Sequence, residues 1–319
     1  MSARTAHSRL ATDELRTMNL VLYTLVVLIW GTTWIALKWQ LGIVPIPLSI
    51  AYRFAVAALV LFALLAWKRK LVRPRGDAVW LVAAQGVCLF CLNFVCFLKA
   101  SGSIPSGLIA VVFSTSTLWN ALLARVIHGR RIAPQVLGGG ALGLSGLLLL
   151  FWPQIVGHAG DSATLIGLAW ALGGTQCFSS GNLLSAALQA RGLQPAQTNA
   201  WGMALGTLLL LGYCLLAGTP FVFDTSLRYT GALLYLAIPG SVVGFTAYLT
   251  LVGRLGPERA AYSTVLFPIV ALNVSAIFED YHWSGMALSG LVLVMLGNML
   301  VFRRKAIAVP WVRGAFERS

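Results

Sequence analysis

The sequence predicts an all-α integral membrane protein: ten transmembrane helices arranged as two inverted five-helix repeats. Three observations lead there: the composition, the placement of positive charge between apolar runs, and a weak internal repeat. Hydrophobic residues make up 58% of the 319 and charged residues only 10%, with a mean hydropathy of +0.83. A soluble domain carries about 25% charge. Spans of this kind must be helical, because lipid offers a backbone amide no partner. No period-two alternation marks a β-barrel.

Apolar runs place helices near 19–39, 46–67, 77–98, 104–127, 134–152, 164–189, 197–217, 230–252, 258–279 and 284–302. The organisation is then a tail over 1–18, a first unit over 19–152, a connection over 153–163, a second unit over 164–302 and a tail over 303–319. No cleavable leader is expected, because the apolar run after the polar, basic start is long enough to span.

Lysine and arginine divide sharply between alternate loops. One side holds Arg4, Arg9 and Arg16; Lys68, Arg69, Lys70, Arg73 and Arg75; Arg125, Arg130 and Arg131; Arg191; Arg254 and Arg259; and Arg303, Arg304, Lys305, Arg313 and Arg318. The other side holds Lys99 and Arg228, with Lys38 at a helix end. The positive-inside rule puts both termini in the cytoplasm and the 153–163 connection on the periplasmic face of a cell inner membrane. The net charge of +14 therefore belongs to topology. A lipid bilayer and a small-molecule substrate are the expected partners, and nucleic acid is not.

Cys88, Cys91, Cys96, Cys177 and Cys214 all fall in apolar runs without histidine or acidic neighbours. They read as packing residues, and no metal or other cofactor is expected. No nucleotide-binding loop of the Walker type occurs, which excludes direct ATP drive by this chain.

The repeat is weak residue by residue but consistent in order. "SGSIPSGLIAVVFSTSTLWNALL" from Ser101 opens like "LGPERAAYSTVLFPIVALNV" from Leu255, matching Pro105 to Pro257. Trp30 and Trp170 take like positions in the first and sixth helices. The fifth and tenth are both plain Leu- and Gly-rich spans. Five is odd, so the second unit enters the membrane from the opposite face. Such inverted repeats are common in secondary transporters, with the substrate site near the midplane.

Five segments, "IWGTTWIALK" (29–38), "YRFAVAALVLF" (52–62), "LNFVCFLKASGSIPSGLIAVV" (92–112), "RLGPERAAYSTVLFPIVA" (254–271) and "IFEDYHWSGMALSGLVLVMLGN" (277–298), resemble the EamA family of the drug/metabolite transporter superfamily. The resemblance covers nearly all of the hydrophobic chain. It implies ten helices, an inverted pair of repeats and export of small metabolites, leaning towards amino acids. Two departures stand out: Thr117 lies where the first repeat usually carries proline, and Gly129-Arg130 where it usually carries Gly-Glu.

Arg53 is seven residues into the second helix, about 10 Å along it at 1.5 Å per residue. Lys38, Lys99, Glu279 and Asp280 end neighbouring helices at the same level. Three roles are open to Arg53: marking a water interface by snorkelling, pairing with a carboxylate or helix C-terminal carbonyls to close an outer gate, or capturing a substrate carboxylate. The second unit offers no matching cation, since the seventh helix reads "TNAWGMALG". Gate or ion-pair candidates are therefore Lys38, Arg53, Lys99 and Glu279.

Polar and aromatic side chains mark the expected cavity wall. Trp30, Thr33 and Trp34 share one face. Asn93 stands with Cys96 and Phe97. Phe113, Ser116, Thr117 and Asn120 form a stripe. Trp170, Gln176 and Ser179 come from the sixth helix, Tyr248 from the eighth, and Tyr262 and Asn273 from the ninth. The competing role for each hydroxyl is a bond to its own backbone, and for each amide a helix-to-helix link. The fifth and tenth helices lack this chemistry and read as scaffold or as the surface of a homodimer. No acidic residue sits mid-helix, so facilitated diffusion or exchange fits more simply than proton coupling. A nearly uncharged, aromatic-rich hollow suits amphipathic or zwitterionic solutes such as amino acids, and alternatively hydrophobic drugs. A channel, a non-transporting sensor or an intramembrane enzyme are the other classes; no catalytic residues are evident, and no enzyme is expected.

Overall fold

The computed structural model describes residues 3–128, 134–157, 162–261 and 263–302. All regular structure among them is helical. The elements are α1 (Ala3–Trp39), α2 (Ile46–Trp67), α3 (Ala78–Ser101), α4 (Ser106–Ser114), α5 (Ser116–His128), α6 (Pro134–Gly157), α7 (Ser162–Gln189), α8 (Pro195–Leu216), α9 (Leu227–Leu255), α10 (Pro257–Ala260), α11 (Ser263–Phe278) and α12 (Gly285–Phe302). Among the described residues, seven helical stretches are long and apolar enough to cross a membrane, and Leu266–Phe278 and Gly285–Leu300 are shorter apolar helices. The 28-residue α7 is diluted by Gly, Ser, Thr and Gln, residues that a helix packed among helices tolerates better than one facing lipid.

Boundaries differ from the sequence reading where no breaker stands. α1 runs back to Ala3 because nothing between Ala3 and Trp30 is Gly or Pro, so part of the expected tail is helix. α3 ends at Ser101 rather than 98. The 303–319 tail, Tyr262 and the Gly129-Arg130 pair lie outside the described residues, as do 158–161 of the expected connection.

The most extensive packing joins the two halves of the chain: α6 on α12, α2 on α8, α4 on α11, α3 on α7 and α1 on α11 and α9. Small residues make these approaches possible. A Cβ on Gly146 would lie 2.5 Å from the Gly290 carbonyl oxygen, one on Gly290 2.6 Å from that of Gly146, and one on Gly297 2.5 Å from that of Gly139. The expected scaffold helices α6 and α12 thus spend their glycines on each other. Gly86 and Gly202 do the same for α3 and α8, at 2.7 Å.

Three helices are irregular near the centre. α3 carries a π-turn over Cys88–Leu92 and α9 a longer one over Leu236–Val243, the latter built around Pro239, which has no N–H to give. Between α4 and α5 the helix breaks at Thr115, whose N–H and hydroxyl both donate to Val112 C=O, at 3.0 and 2.6 Å.

Candidate functional site

α1, α2, α3, α4, α7 and α9 converge on a narrow cavity of about 30 Å³ lined by Trp30, Thr33, Trp34, Leu37, Arg53, Asn93, Phe94, Phe97, Phe113, Phe178 and Phe245. That is room for about one water, so the rings must part for any solute to enter. Trp30 is the hub. Its Nε1–H donates to Gly240 C=O at 3.0 Å, a carbonyl that the π-turn of α9 turns towards α1. Its ring packs against Phe113, Phe178, Phe245, Tyr248 and Phe267, with centroids 4.8–6.4 Å away. Trp34 packs edge-on to Phe97 and Phe113, at 5.2 and 5.3 Å. Thr33 turns its hydroxyl to Trp30 C=O.

Arg53 is 2% exposed. Its Nε–H donates to Ser241 Oγ at 2.9 Å, and Ser241 in turn donates to Leu236 C=O. The guanidinium carbon lies 4.1 Å from the centre of the Phe94 ring and 5.1 Å from that of Phe54. Among the described residues no carboxylate pairs with it. A desolvated ring contact contributes about 2 kcal/mol and a hydrogen bond to a charged group about 1.5–3 kcal/mol, against a burial cost of several kcal/mol per ion.

The ion pair forms elsewhere. Lys38, in the last turn of α1, reaches Glu279 at 2.5 Å. Glu279 is 3% exposed at its side chain. It also accepts from the Ser106 N–H at 3.1–3.2 Å, from the Ser106 hydroxyl, and from the Ser275 hydroxyl at 2.6 Å. Local sequence puts each group there. Pro105 starts α4 and leaves the Ser106 N–H free at its N-terminus, where a carboxylate is favoured. Asp280 adopts a left-handed φ of 54° and stops the chain just beyond α11. Burial raises the Glu279 pKa, but the bonds from Lys38, Ser106 and Ser275 outweigh it and hold the carboxyl below the usual range. Beyond this knot opens a vestibule of about 430 Å³, lined among others by Lys38, Trp39, Asp224, Arg228 and Tyr229.

At the opposite end the packing is thick. Asn182 donates to the Tyr248 hydroxyl at 3.2 Å, Ser179 to Ser116 C=O at 3.2 Å, Gln189 to Leu249 C=O at 2.9 Å and Asn120 to Pro257 C=O at 3.5 Å, while Ser116 and Thr264 share a bond of 3.3 Å. Of the residues singled out in the sequence, Trp30, Thr33, Trp34, Arg53, Asn93, Phe97 and Phe113 line the cavity. Tyr248 lies directly against Trp30, and Ser116, Ser179 and Asn120 belong to the packed end. Trp170 is half-buried under the Lys99 ammonium, which sits 4.4 Å from its ring. Gln176 is half-buried outside the lining, and Asn273 is exposed, donating to its own helix at Ile269 C=O.

A profile of the EamA-like transporter family matches residues 17–152 and again 165–303. The chain belongs to the EamA-like transporter family. It is similar to a probable amino-acid metabolite efflux pump of Escherichia coli (strain K12), 27% identical over 91% of this chain and 97% of that one. It is also similar to a probable terminal-alkyne amino-acid exporter of Streptantibioticus cattleyicolor, 28% identical over 88% and 92% of the two chains. A solved crystal structure shares the fold with a TM-score of 0.64 at 18% identity, covering 90% of this chain and 97% of the other.

The departure at Thr117 gains a physical account in this EamA-like chain. Thr117 donates to Asn298 Oδ1 at 2.5 Å, and Asn298 donates to Ser114 Oγ at 3.2 Å. The break at Thr115 thus persists without proline, tied to α12 instead. Sequence reasoning missed Phe94, Phe178, Phe245, Ser241 and Ser106. Phenylalanine carries no periodic signal that separates a cavity wall from a lipid face. Ser106 was marked only by its place after Pro105, at the start of a helix.

Proposed function

We propose that this chain is a secondary exporter of small amphipathic metabolites, amino acids or their relatives, working by alternating access. The single observation that carries this is the narrow, aromatic-lined cavity between the two halves, with the Lys38–Glu279 ion pair and a wider vestibule towards the same end of α1. A channel would keep a continuous polar path; here the lining is mostly aromatic and the space holds about one water. The names of the similar efflux pump and exporter support amino-acid-like cargo.

Ten crossings in two inverted units suit the packing. α2 on α8, α4 on α11 and α6 on α12 pair like helices of the two halves, and α3 on α7 matches α1 on α9 when the halves are exchanged. The π-turns fall in the third helix of each half. With both termini in the cytoplasm, as the positive-inside rule requires, the knot and vestibule face the periplasm and the thick packing faces the cytoplasm. A homodimer through α6 and α12 would use their exposed Leu137, Leu144, Leu148, Leu288 and Leu296, since their glycines are already engaged.

Counterflow in proteoliposomes tests the reading. Saturable exchange of L-amino acids, together with selective resistance of an overexpressing strain to toxic amino-acid analogues, is the expected result. Flux without saturation overturns the carrier, and exchange of hydrophobic dyes but not amino acids moves the assignment to a multidrug exporter.

A further inference from the structure

We propose that Arg53, Trp34 and Asn93 form the seat for the head group of an α-amino acid, with Arg53 and Trp34 donating to the carboxylate and the Asn93 side-chain carbonyl accepting from the ammonium. The inference rests on the exporter reading and names the chemistry of its cargo. Three polar atoms on the cavity wall lack a hydrogen-bond partner: Arg53 Nη1, Trp34 Nε1 and Asn93 Oδ1. Their side chains are 2%, 5% and 1% exposed. Buried polar atoms are nearly always satisfied, and three orphans on one small hollow mark a place where a ligand completes the bonding.

The orphans also specify the ligand. Two are N–H donors and one is an acceptor. Neighbouring bonds fix their roles: Arg53 Nε is already committed to Ser241, and the Asn93 Nδ2–H donates to Gly174 C=O at 3.3 Å, which leaves Oδ1 as the unpaired acceptor of this lining residue. A desolvated guanidinium without a counter-ion calls for one negative charge. A dianion such as a phosphate monoester would leave a surplus, and a simple organic cation would be repelled. A carboxylate supplies a flat pair of acceptors suited to the guanidinium. Its ammonium would meet Asn93 and the faces of Trp34, Phe97 and Phe113, rings that favour a cation, while the side chain would displace the rings around Trp30.

The test uses the full-length protein in detergent and in proteoliposomes. Probes are L-phenylalanine, L-leucine and L-methionine, their amides, phenethylamine and 3-phenylpropionate, read by thermal stabilisation and counterflow. At least one amino acid binds, and its amide binds about tenfold or more weakly, the loss of one charge-assisted contact. Trp34→Phe, which keeps an aromatic ring but removes the indole N–H together with the fused five-membered ring, weakens the acid more than the amide and so narrows the preference between them. Arg53→Lys keeps the charge and retains part of the preference for acids over amides. Equal binding of acids and amides overturns the seat while leaving the exporter standing, as does an undiminished acid preference in both variants. If no carboxylate binds, the seat is overturned, and counterflow of the amine and of dyes in the same vesicles judges the exporter separately.

Discussion

Lys38 and Glu279 meet at 2.5 Å across the end of the bundle, joining the last turn of α1 to the residue that follows α11. Ser106 adds the start of α4 to the same carboxylate. One side chain therefore ties three helices that would have to separate if the vestibule is to reach the cavity.

Glu279→Gln keeps the hydrogen bonds of an amide but removes the charge. The sealed state should lose on the order of 1–2 kcal/mol, about tenfold in population. Thiol labelling of a cysteine placed at Arg228, or fluorescence of a probe there, should report a more open end, with transport slowed because resealing is impaired.

The pH response follows from the sign of the shift. Glu279 is depressed relative to an ordinary carboxyl, so the knot is at full strength above the usual carboxylate range and is lost as pH falls through the depressed value. Lys38 is the charged group in contact with it. The wild-type vestibule should therefore open on acidification, and the Glu279→Gln variant should show no such transition.

Gly244→Ala places a methyl group against Trp30 Nε1, and the same Cβ would sit 3.0 Å from the indole Cδ1. The indole must leave its bond to Gly240. Transport should fall at least tenfold with expression retained. Gly240→Ala, whose Cβ meets the Thr33 methyl at 3.1 Å, should cost less, as measured by initial counterflow rates.

Gly146→Ala forces α6 away from α12, since the new carbon would lie 2.5 Å from the Gly290 oxygen and 2.8 Å from the Val294 nitrogen. Overpacking of this kind costs about 1–3 kcal/mol. Tm in detergent should fall, whereas Gly212→Ala, with open space around its Cβ, should leave it unchanged.

Ser241→Ala removes the acceptor of the Arg53 Nε–H and leaves a second buried donor unpaired, at about 1–3 kcal/mol. Thermal stability should drop by more than for Thr250→Ala, whose hydroxyl only returns to its own helix at Thr246 C=O.

Trp30, Thr33 and Trp34 were legible because a helix brings residues three and four apart onto one face, and polar or aromatic residues cluster on the face that avoids lipid. The same logic also marked Asn273, which is exposed and donates to its own helix, and Trp170, which lies under Lys99, both outside the cavity lining. Phe113 was marked by its polar stripe, but Phe178, Phe245 and Phe267 around Trp30 were invisible because the hydrophobic effect does not distinguish a wall of a cavity from a wall of the bundle.

Local chemistry along the chain was enough to determine membrane residence, helical structure, two similar units and a charge-poor interior, because lipid enforces backbone satisfaction within each segment and sorts charge to the ends. Tertiary structure decided which charges meet. Lys38, Arg53, Lys99 and Glu279 all gather towards one end in sequence, yet only Lys38 reaches the carboxylate, while Arg53 is turned inward to Ser241 and Phe94. The physical reason is distance: close approaches at glycines such as Gly244, Gly146 and Gly290 set how the halves seat on each other, and a few ångströms of that seating separate an ion pair from a buried, waiting cation.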